Sequence, residues 1–319
     1  MNDLEGIRLA PKQILAERLL DAPRDLVWRA WTDVSHLGEW WGPRGFTTTT
    51  QHGVVETGGE WRFTMHGPDG HDYENIIVFV EVDEPSRLRY RHRGAGETED
   101  VRFEVEVRFA EEGSRTRLTM TMHFPSDELR DHLIETRGAL EGLEGHLARL
   151  AEHLVLQDPF TIVRTFEAPL DLVWKAHTDA DRLAKWWGVK GMATTVKRFE
   201  LSPGGIFLYG MRTPAGQEMW GRFVYREITP MHRLVYVSSF SDPEGALTRA
   251  PFFADWPLEV LNVLTLEEGG GRTTLTLRGG PLNANEAERA RFRGHHESML
   301  GGFGATYDQL AAYLASGDR

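Results

Sequence analysis

The chain has 319 residues, a length typical of two domains of ordinary size. Its net charge of −12 disfavours a broad nucleic-acid surface or a footprint on an anionic membrane. The chain contains no cysteine, which excludes disulfides, thiolate metal sites and a cysteine nucleophile. The first residues lack the pattern of a signal peptide and no apolar run approaches membrane-spanning length, so we expect a cytoplasmic protein without a membrane span.

The sequence repeats itself at long range. Residues 21–45 and 167–191 are identical at fourteen of 25 positions, at a constant offset of 146. A period of this length indicates two whole domains rather than short solenoid units. Because Pro159 ends the preceding helix, we predict one domain over residues 1–156 and a second over residues 157–319.

Both copies present the same order of predicted elements. A short strand, Ile14–Leu20 or Phe160–Phe166, is followed by an amphipathic helix and by a second short helix that ends at Trp-Trp-Gly. A run of strands follows, bounded by Gly- and Pro-containing turns. Alternation with a period of two is clear from Val101 to Phe109. The inward faces of the strands around Tyr73–Val82 and Met219–Ile228 stay unassigned, because their alternation is ambiguous.

A long helix is predicted to close each copy. Ser126 is the expected N-cap of the first, and in the second Asn283 with Glu286 resembles a capping box. Both helices carry interior glycines, among them Gly138 and Gly294, and each costs about 1 kcal/mol relative to alanine. Such helices need strands packed closely around them, or a ligand beside them.

Several motifs recur in order in both copies: Ala-Pro-x-x-x-Val-Trp-x-Ala, Trp-Trp-Gly-x-x-Gly, Gly-Gly and the glycine-containing last helix. Together they resemble the activator of heat-shock protein 90 ATPase homologue-like family, within the START-like (SRPBCC, polyketide cyclase/dehydrase-like) superfamily. The resemblance covers about residues 12–155 and 158–316. It implies an α+β fold of two tandem helix-grip domains. Each would have a curved antiparallel sheet of about seven strands around a long C-terminal helix, two short helices after the first strand, and a cavity between sheet and helix.

The predicted inward-facing residues are aromatics, methionines and a few polar side chains, a mixture typical of a ligand pocket. In the first copy they are Phe63, Met65, Tyr90, His92 and Leu143, and in the second they are Phe207, Tyr209, Met211, Tyr236, Ser238, Phe240, Phe303 and Tyr307. In the second copy more of these side chains end in a polar group, so we predict that it holds the pocket better suited to a ligand. The alternative is a filled core without an open cavity.

The paired tryptophans have two interpretations, contact with a ligand at the cavity rim or packing in the core. They are Trp40 and Trp41 in the first copy and Trp186 and Trp187 in the second. Because adjacent helical residues point about 100° apart, at most one of each pair faces fully inward.

The second copy contains an insertion at about residues 241–257, with Phe252, Phe253 and Trp256 among small and turn-forming residues. Three large aromatics in one loop are expected to cover something. The loop is predicted to be a lid, an interdomain contact or a dimer interface.

No pattern identifies a catalytic centre, and His295-His296-Glu297 lacks the spacing that places two imidazoles on one helix face. Catalytic residues therefore stay unassigned, and we expect no metal and no cofactor. His92 could act as a general base, although a packed histidine is the simpler interpretation. Whether the protein is an enzyme is left open.

Three functions are compatible with these patterns. The first is non-catalytic binding of a small hydrophobic or aromatic ligand, as a carrier or sensor. The second is a cyclase, dehydratase or hydrolase-type enzyme that uses His92 or the tyrosines in the same cavity. The third is a protein-interaction or chaperone-linked module, in which the acidic first copy docks a basic partner. A homodimer is a further possibility, and nucleic acid is not an expected partner.

Overall fold

The computed structural model describes residues 6–94 and 101–316. The chain divides after Leu154 into two compact units, and each combines one antiparallel sheet with packed helices. The predicted α+β class and the tandem arrangement of two helix-grip domains are thereby confirmed.

Within the described residues, the sheet of the first domain has eight strands in the order β1-β2-β8-β7-β6-β5-β4-β3. The strands are β1 (Ile7–Ala10), β2 (Gln13–Leu20), β3 (Thr47–Gly53), β4 (Glu60–His66), β5 (Asp72–Asp83), β6 (Arg87–Gly94), β7 (Val101–Glu112) and β8 (Arg115–His123). The helices are α1 (Arg24–Thr32), α2 (Val34–Trp40), α3 (Asp127–Arg137) and α4 (Ala139–Val155). Leucines of α4, such as Leu147 and Leu150, are buried against the sheet in one core with α1 and α2.

The second domain repeats this plan with seven strands among the described residues, in the order β10-β11-β12-β13-β14-β15-β9. The strands are β9 (Phe160–Phe166), β10 (Ala193–Phe199), β11 (Ile206–Arg212), β12 (Glu218–Thr229), β13 (Arg233–Ser241), β14 (Glu259–Gly269) and β15 (Arg272–Leu282). The helices are α5 (Leu170–Thr178), α6 (Ala180–Trp186), α7 (Glu286–Arg293) and α8 (His296–Ala315). Tyr307 and Leu310 of α8 belong to its core.

The first sheet has one strand more than the seven predicted. Residues Ile7–Ala10 form β1, which pairs with β2 in antiparallel register. The turn between them places Lys12 at a φ of 55°, a left-handed conformation that gives no turn signal in the sequence because Lys is not a typical residue there. The described part of the second domain contains no counterpart of β1, so its sheet ends at β9.

The closing helices are present, but each is preceded by a separate shorter helix instead of running on from its predicted cap. Gly138 has a φ of 58° and ends α3, because this left-handed conformation terminates a helix. In the second domain the break falls at Gly294 and His295. Ser126 is confirmed as an N-cap, since its hydroxyl accepts a hydrogen bond from the Leu129 amide.

The predicted capping box at Asn283 and Glu286 is wrong by two residues. Asn285 accepts from the Glu288 amide, and the Glu288 carboxylate accepts from the Asn285 amide, both at 3.0 Å. Asn283 instead has a φ of 53° and donates to Glu259 at 3.1 Å. Asn283 and Asn285 each have a glutamate three residues later, so the sequence alone does not show which of the two forms the capping box.

Candidate functional site in the second domain

The first tryptophan of each pair is a core residue that joins two short helices. Trp40 and Trp186 are each 1% exposed. The Trp40 indole donates to the Ala30 carbonyl, and the Trp186 indole donates to the Ala176 carbonyl, both at 2.9 Å. Because the indole N–H is satisfied inside the protein, neither residue has a polar group left to offer a ligand.

The second tryptophan of each pair faces the sheet. The Trp41 ring lies 4.9 Å from Trp61 and 5.9 Å from Phe63 in edge-on contacts. The Trp187 ring lies 5.2 Å from Phe223 and 6.0 Å from Tyr209 in similar contacts. These two residues therefore form the helical wall of each domain interior.

Aromatic rings fill much of the interior of the first domain. Trp61 and Phe63 are stacked with centroids 3.9 Å apart, and His146 lies 4.4 Å from Trp41. Met65 and Leu143 pack against the same core, and Tyr90 is buried in it at 6.2 Å from Trp41. The predicted residues of the first copy thus pack mainly against one another.

His146 is a buried residue that the sequence analysis did not single out. Its Nδ1 accepts a hydrogen bond from the Gly42 amide at 3.2 Å, so the proton of the neutral ring resides on Nε2. Burial lowers its pKa to about 3, which keeps the ring neutral at physiological pH. The sequence feature that could have identified His146 as buried is its place directly before Leu147 in a leucine-rich helix.

His92 and Phe103 oppose each other across β6 and β7. Their rings are stacked 4.9 Å apart with an interplanar angle of 5°, and Phe124 extends the group at 5.3 Å from Phe103. The imidazole, considered above as a base, is thus part of a ring stack.

The second domain contains a cavity of about 190 Å³ on the inner side of its sheet. Five of the predicted residues line it: Tyr209, Met211, Ser238, Phe240 and Phe303. Its other lining residues are Trp220, Gly221, Ser239, Trp256, Pro257, Val260, Asn262, Phe292 and Met299. The predicted residues Trp186, Trp187, Phe207, Tyr236 and Tyr307 belong to the surrounding core and do not line it.

Small residues at a cross-strand pair explain why this cavity is open. Ser238 and Val260 oppose each other across β13 and β14. The repeat places them at the positions of His92 and Phe103, so two rings are replaced by a hydroxymethyl and an isopropyl group. The volume that those two rings occupy in the first domain is therefore free in the second. The first domain has a hollow of about 190 Å³ at another place, beside Phe63 and Asn75.

Gly221 supports the same opening. A Cβ atom on Gly221 would lie 2.7 Å from the Tyr209 hydroxyl oxygen, which is closer than real contacts allow. The absence of a side chain lets the Tyr209 ring lie flat over β12 beside the cavity. In the first domain the equivalent position is Asn75 and the equivalent ring is Phe63, which has no hydroxyl to accommodate.

The polar groups of the cavity are neutral. The Asn262 amide, 4% exposed, donates to the Ser238 hydroxyl at 2.9 Å and to the Val260 carbonyl at 2.8 Å. Burial raises the pKa of Tyr209 to about 12, so its hydroxyl keeps its proton at neutral pH. None of the lining residues is an aspartate, glutamate, lysine, arginine or histidine.

A second, much smaller cavity of about 20 Å³ lies beside His177. The His177 Nδ1 donates to the Val173 carbonyl at 2.8 Å, and burial lowers the pKa of the ring to about 4. Tyr225 and Tyr236 also line this space, and burial raises the pKa of both. The first copy has Trp31 at the position of His177, a difference that is visible in the aligned repeats.

The insertion lies over the 190 Å³ cavity and contacts α7. Trp256 lines the cavity, and its ring centroid lies 5.6 Å from that of Phe292. The ring centroids of Phe253 and His295 are 4.6 Å apart. The Asp255 carboxylate accepts hydrogen bonds from Arg291 at 2.9 Å. Phe252 is 56% exposed and contacts Phe240 at 5.4 Å.

The described residues contain no group of three or more histidines, aspartates or glutamates placed to hold a metal ion. Across the same part of the chain, every helix is too short or too polar to cross a bilayer.

Comparison with solved structures returns proteins of about one repeat in length and one of two. A protein from Arthrobacter aurescens, solved by solution NMR, is 23% identical over 47% of this chain and 91% of its own, with a TM-score of 0.45. Protein Ms6760 from Mycobacterium smegmatis is 22% identical over 47% of this chain and 96% of its own, with a TM-score of 0.43. The di-domain ARO/CYC BexL from the BE-7585A biosynthetic pathway is 16% identical over 95% of this chain and 98% of its own, with a TM-score of 0.37.

Among curated proteins, none matches the chain. The family model described as Activator of Hsp90 ATPase homolog 1-like protein matches residues 21–155 and again residues 167–315. The two matches cover most of the chain, and they begin directly after β2 and directly after β9. The chain therefore belongs to the Activator of Hsp90 ATPase homolog 1-like family and carries the family's domain twice in tandem.

Proposed function

We propose that the second domain binds a small hydrophobic or aromatic ligand in its 190 Å³ cavity, without catalysing a reaction on it, as a carrier or sensor. The observation that carries the proposal is the contrast at one cross-strand pair. Ser238 and Val260 leave open the volume that His92 and Phe103 fill in the first domain. A cavity lined by aromatics, methionines and a few polar groups is the usual form of a small-molecule site.

The arrangement of polar groups favours binding over catalysis. His177 and His146 are buried histidines whose lowered pKa keeps the rings neutral at physiological pH. Neither of them lines the cavity. The lining hydroxyl of Tyr209 is held protonated. A site with hydroxyls and an amide, but without a charged side chain, is suited to orienting a neutral molecule.

Native mass spectrometry of the purified chain, followed by denaturing extraction, tests this proposal. We expect about one small apolar molecule per chain, and we expect added isopropylbenzene to bind with the same stoichiometry. The variant Ser238→His/Val260→Phe copies the first domain and should abolish binding. Val163→Phe adds a ring at an exposed position of β9 and serves as the control.

The controls also separate loss of the site from loss of the fold. Circular dichroism and thermal unfolding should show that the filled variant keeps its structure. Binding of isopropylbenzene that survives the filling variant, or that is absent from the wild-type chain, would contradict the proposal.

A further inference from the structure

The hydrogen bonds around Ser238 define what kind of polar group the cavity can recognise, and this inference rests on the proposed function. The Asn262 Nδ2 atom contacts two oxygens, the Ser238 Oγ at 2.9 Å and the Val260 carbonyl at 2.8 Å. A carbonyl oxygen can only accept, so the contact with Val260 fixes the orientation of the amide. Both Asn262 amide protons are therefore committed to these two acceptors.

Ser238 is left as a hydrogen-bond donor by this arrangement. Its oxygen accepts from Asn262, and a hydroxyl that accepts still has its own proton to donate. Among the described residues, none accepts a hydrogen bond from the Ser238 hydroxyl, and Ser238 lines the cavity. A ligand oxygen would thus satisfy a donor that the protein itself does not.

Tyr209 adds a second donor of the same kind. Its hydroxyl lies over Gly221, and both residues line the cavity. The phenol stays protonated at neutral pH, as described above. The cavity consequently offers neutral O–H donors, Ser238 and Tyr209 among them, and no charged partner for a carboxylate or an ammonium group, whose burial without a partner is strongly unfavourable.

The volume limits the size of the ligand. An apolar cavity of about 150 Å³ holds one benzene molecule, whereas pockets for drug-sized ligands measure roughly 300–1,000 Å³. At about 190 Å³ the cavity has room for one ring with a short substituent.

We propose that the cavity recognises uncharged one-ring compounds that carry a hydrogen-bond-accepting carbonyl oxygen, with Ser238 as the residue that reads the oxygen. The chemical class is that of small aromatic ketones, aldehydes and esters. The proposal assigns Ser238 a role in specificity, distinct from the role of the surrounding aromatics in affinity.

Two isosteric probes test this assignment on the full chain. Acetophenone and α-methylstyrene differ only in C=O against C=CH₂, so we would measure the dissociation constant of each by ligand-observed NMR titration. The ratio of the two constants removes contributions that both probes share. Substituting Ser238→Ala should shift this ratio about fivefold against acetophenone, the effect of one net hydrogen bond. The control Ser202→Ala makes the same change at a half-buried position outside the cavity lining and should leave the ratio unchanged.

The outcomes separate this inference from the proposed function. If both probes bind and Ser238→Ala leaves their ratio within twofold of the wild-type value, the carbonyl assignment is overturned while ligand binding stands. Tighter binding of benzoate or benzylamine than of acetophenone would overturn it as well. If neither acetophenone nor α-methylstyrene binds to the wild-type chain, the proposed function itself fails.

Discussion

The imidazole ring of His92 and the phenyl ring of Phe103 are stacked almost parallel at 4.9 Å across two neighbouring strands of the first sheet. The same register position in the second sheet holds Ser238 and Val260. One cross-strand pair therefore carries two stacked rings in the first domain and opens onto the cavity in the second, although both domains share their elements and most of their topology.

The variant His92→Ser/Phe103→Val should open a cavity in the first domain. Removal of two half-buried rings loses transfer free energy and leaves a void, so we expect the free energy of unfolding to fall by about 2–4 kcal/mol. Urea unfolding, followed by tryptophan fluorescence, measures the loss. The conservative variant His92→Gln keeps most of the side-chain volume, so it should lower the free energy of unfolding by less than the double variant does. Equal stability of the double variant and the wild-type chain would show that the stack contributes no packing.

The two buried histidines should make both domains less stable in mild acid. The pKa of His146 is lowered to about 3 and that of His177 to about 4, whereas both titrate near 6.5 in an unfolded chain. Below pH 6.5 the unfolded chain binds protons that the folded chain does not, so the stability present at neutral pH declines as the pH falls towards 4. The expected slope is up to about 1.4 kcal/mol per pH unit for each histidine.

Urea unfolding at pH 7, 6 and 5 measures this slope. His177→Trp copies Trp31 of the first domain and removes one titrating group, so the slope of the second domain's transition should decrease by about one proton. The slope of the first domain's transition serves as the internal control. An unchanged slope in the second domain would mean that His177 is protonated while folded.

Arg149 and Gln309 hold the backbone at Trp-Trp-Gly in their respective domains, and Arg149 also holds the residues that follow it, so the two should differ in their contribution to stability. Arg149 donates to several carbonyls, including that of Phe46 at 2.8 Å, whereas Gln309 donates to the carbonyls of Trp186 and Gly188 at 3.1 and 2.9 Å. We expect Arg149→Ala to destabilise the first domain by about 2–3 kcal/mol and Gln309→Ala to destabilise the second by about 1–2 kcal/mol. Thermal unfolding of both variants checks the order, and the reverse order would contradict it.

The ion pair between Asp255 and Arg291 should affect ligand exchange more than stability. Both side chains are partly exposed, at 41% and 37%, so Asp255→Ala should change the free energy of unfolding only slightly. Loosening the loop over the cavity should raise the dissociation rate of α-methylstyrene several-fold, as measured by NMR exchange. Glu200→Ala breaks a comparable pair with Arg198 elsewhere on the domain and is the matched control. Identical dissociation rates for all three proteins would exclude a lid function for the insertion.

The fold followed from the sequence because its determinants are local and repeated. The recurrence of the Trp-Trp-Gly segment and of the alternating strands predicts two equivalent domains, and both sheets bear this out. The strands whose alternation was ambiguous contain register shifts, between Phe79 and Glu81 in β5 and between Tyr225 and Glu227 in β12. A β-bulge moves the following side chains to the opposite face, so the period of two is interrupted along those strands.

The cavity was harder to predict from the sequence than the fold, because it depends on which small side chains lie opposite the larger ones on neighbouring strands. Tyr209 and Ser238 were identified from alternation within their own strands, but Val260 and Gly221 line the cavity through their smallness. Only the pairing of β13 with β14 and of β11 with β12 shows that these small residues face larger ones. Comparison of the two copies, with His92 aligned to Ser238, carried the signal that single-strand patterns lacked.

The cavity of the second domain also has a consequence for how that domain is maintained. A cavity of about 190 Å³ leaves the residues around it without contacts that a filled core would make, which weakens the packing of the second domain. A ligand present at a hundred times its dissociation constant restores about 2.7 kcal/mol through mass action. The occupant of the cavity would then act as a folding cofactor for the second domain, and the lifetime of that domain would follow the supply of the small molecule.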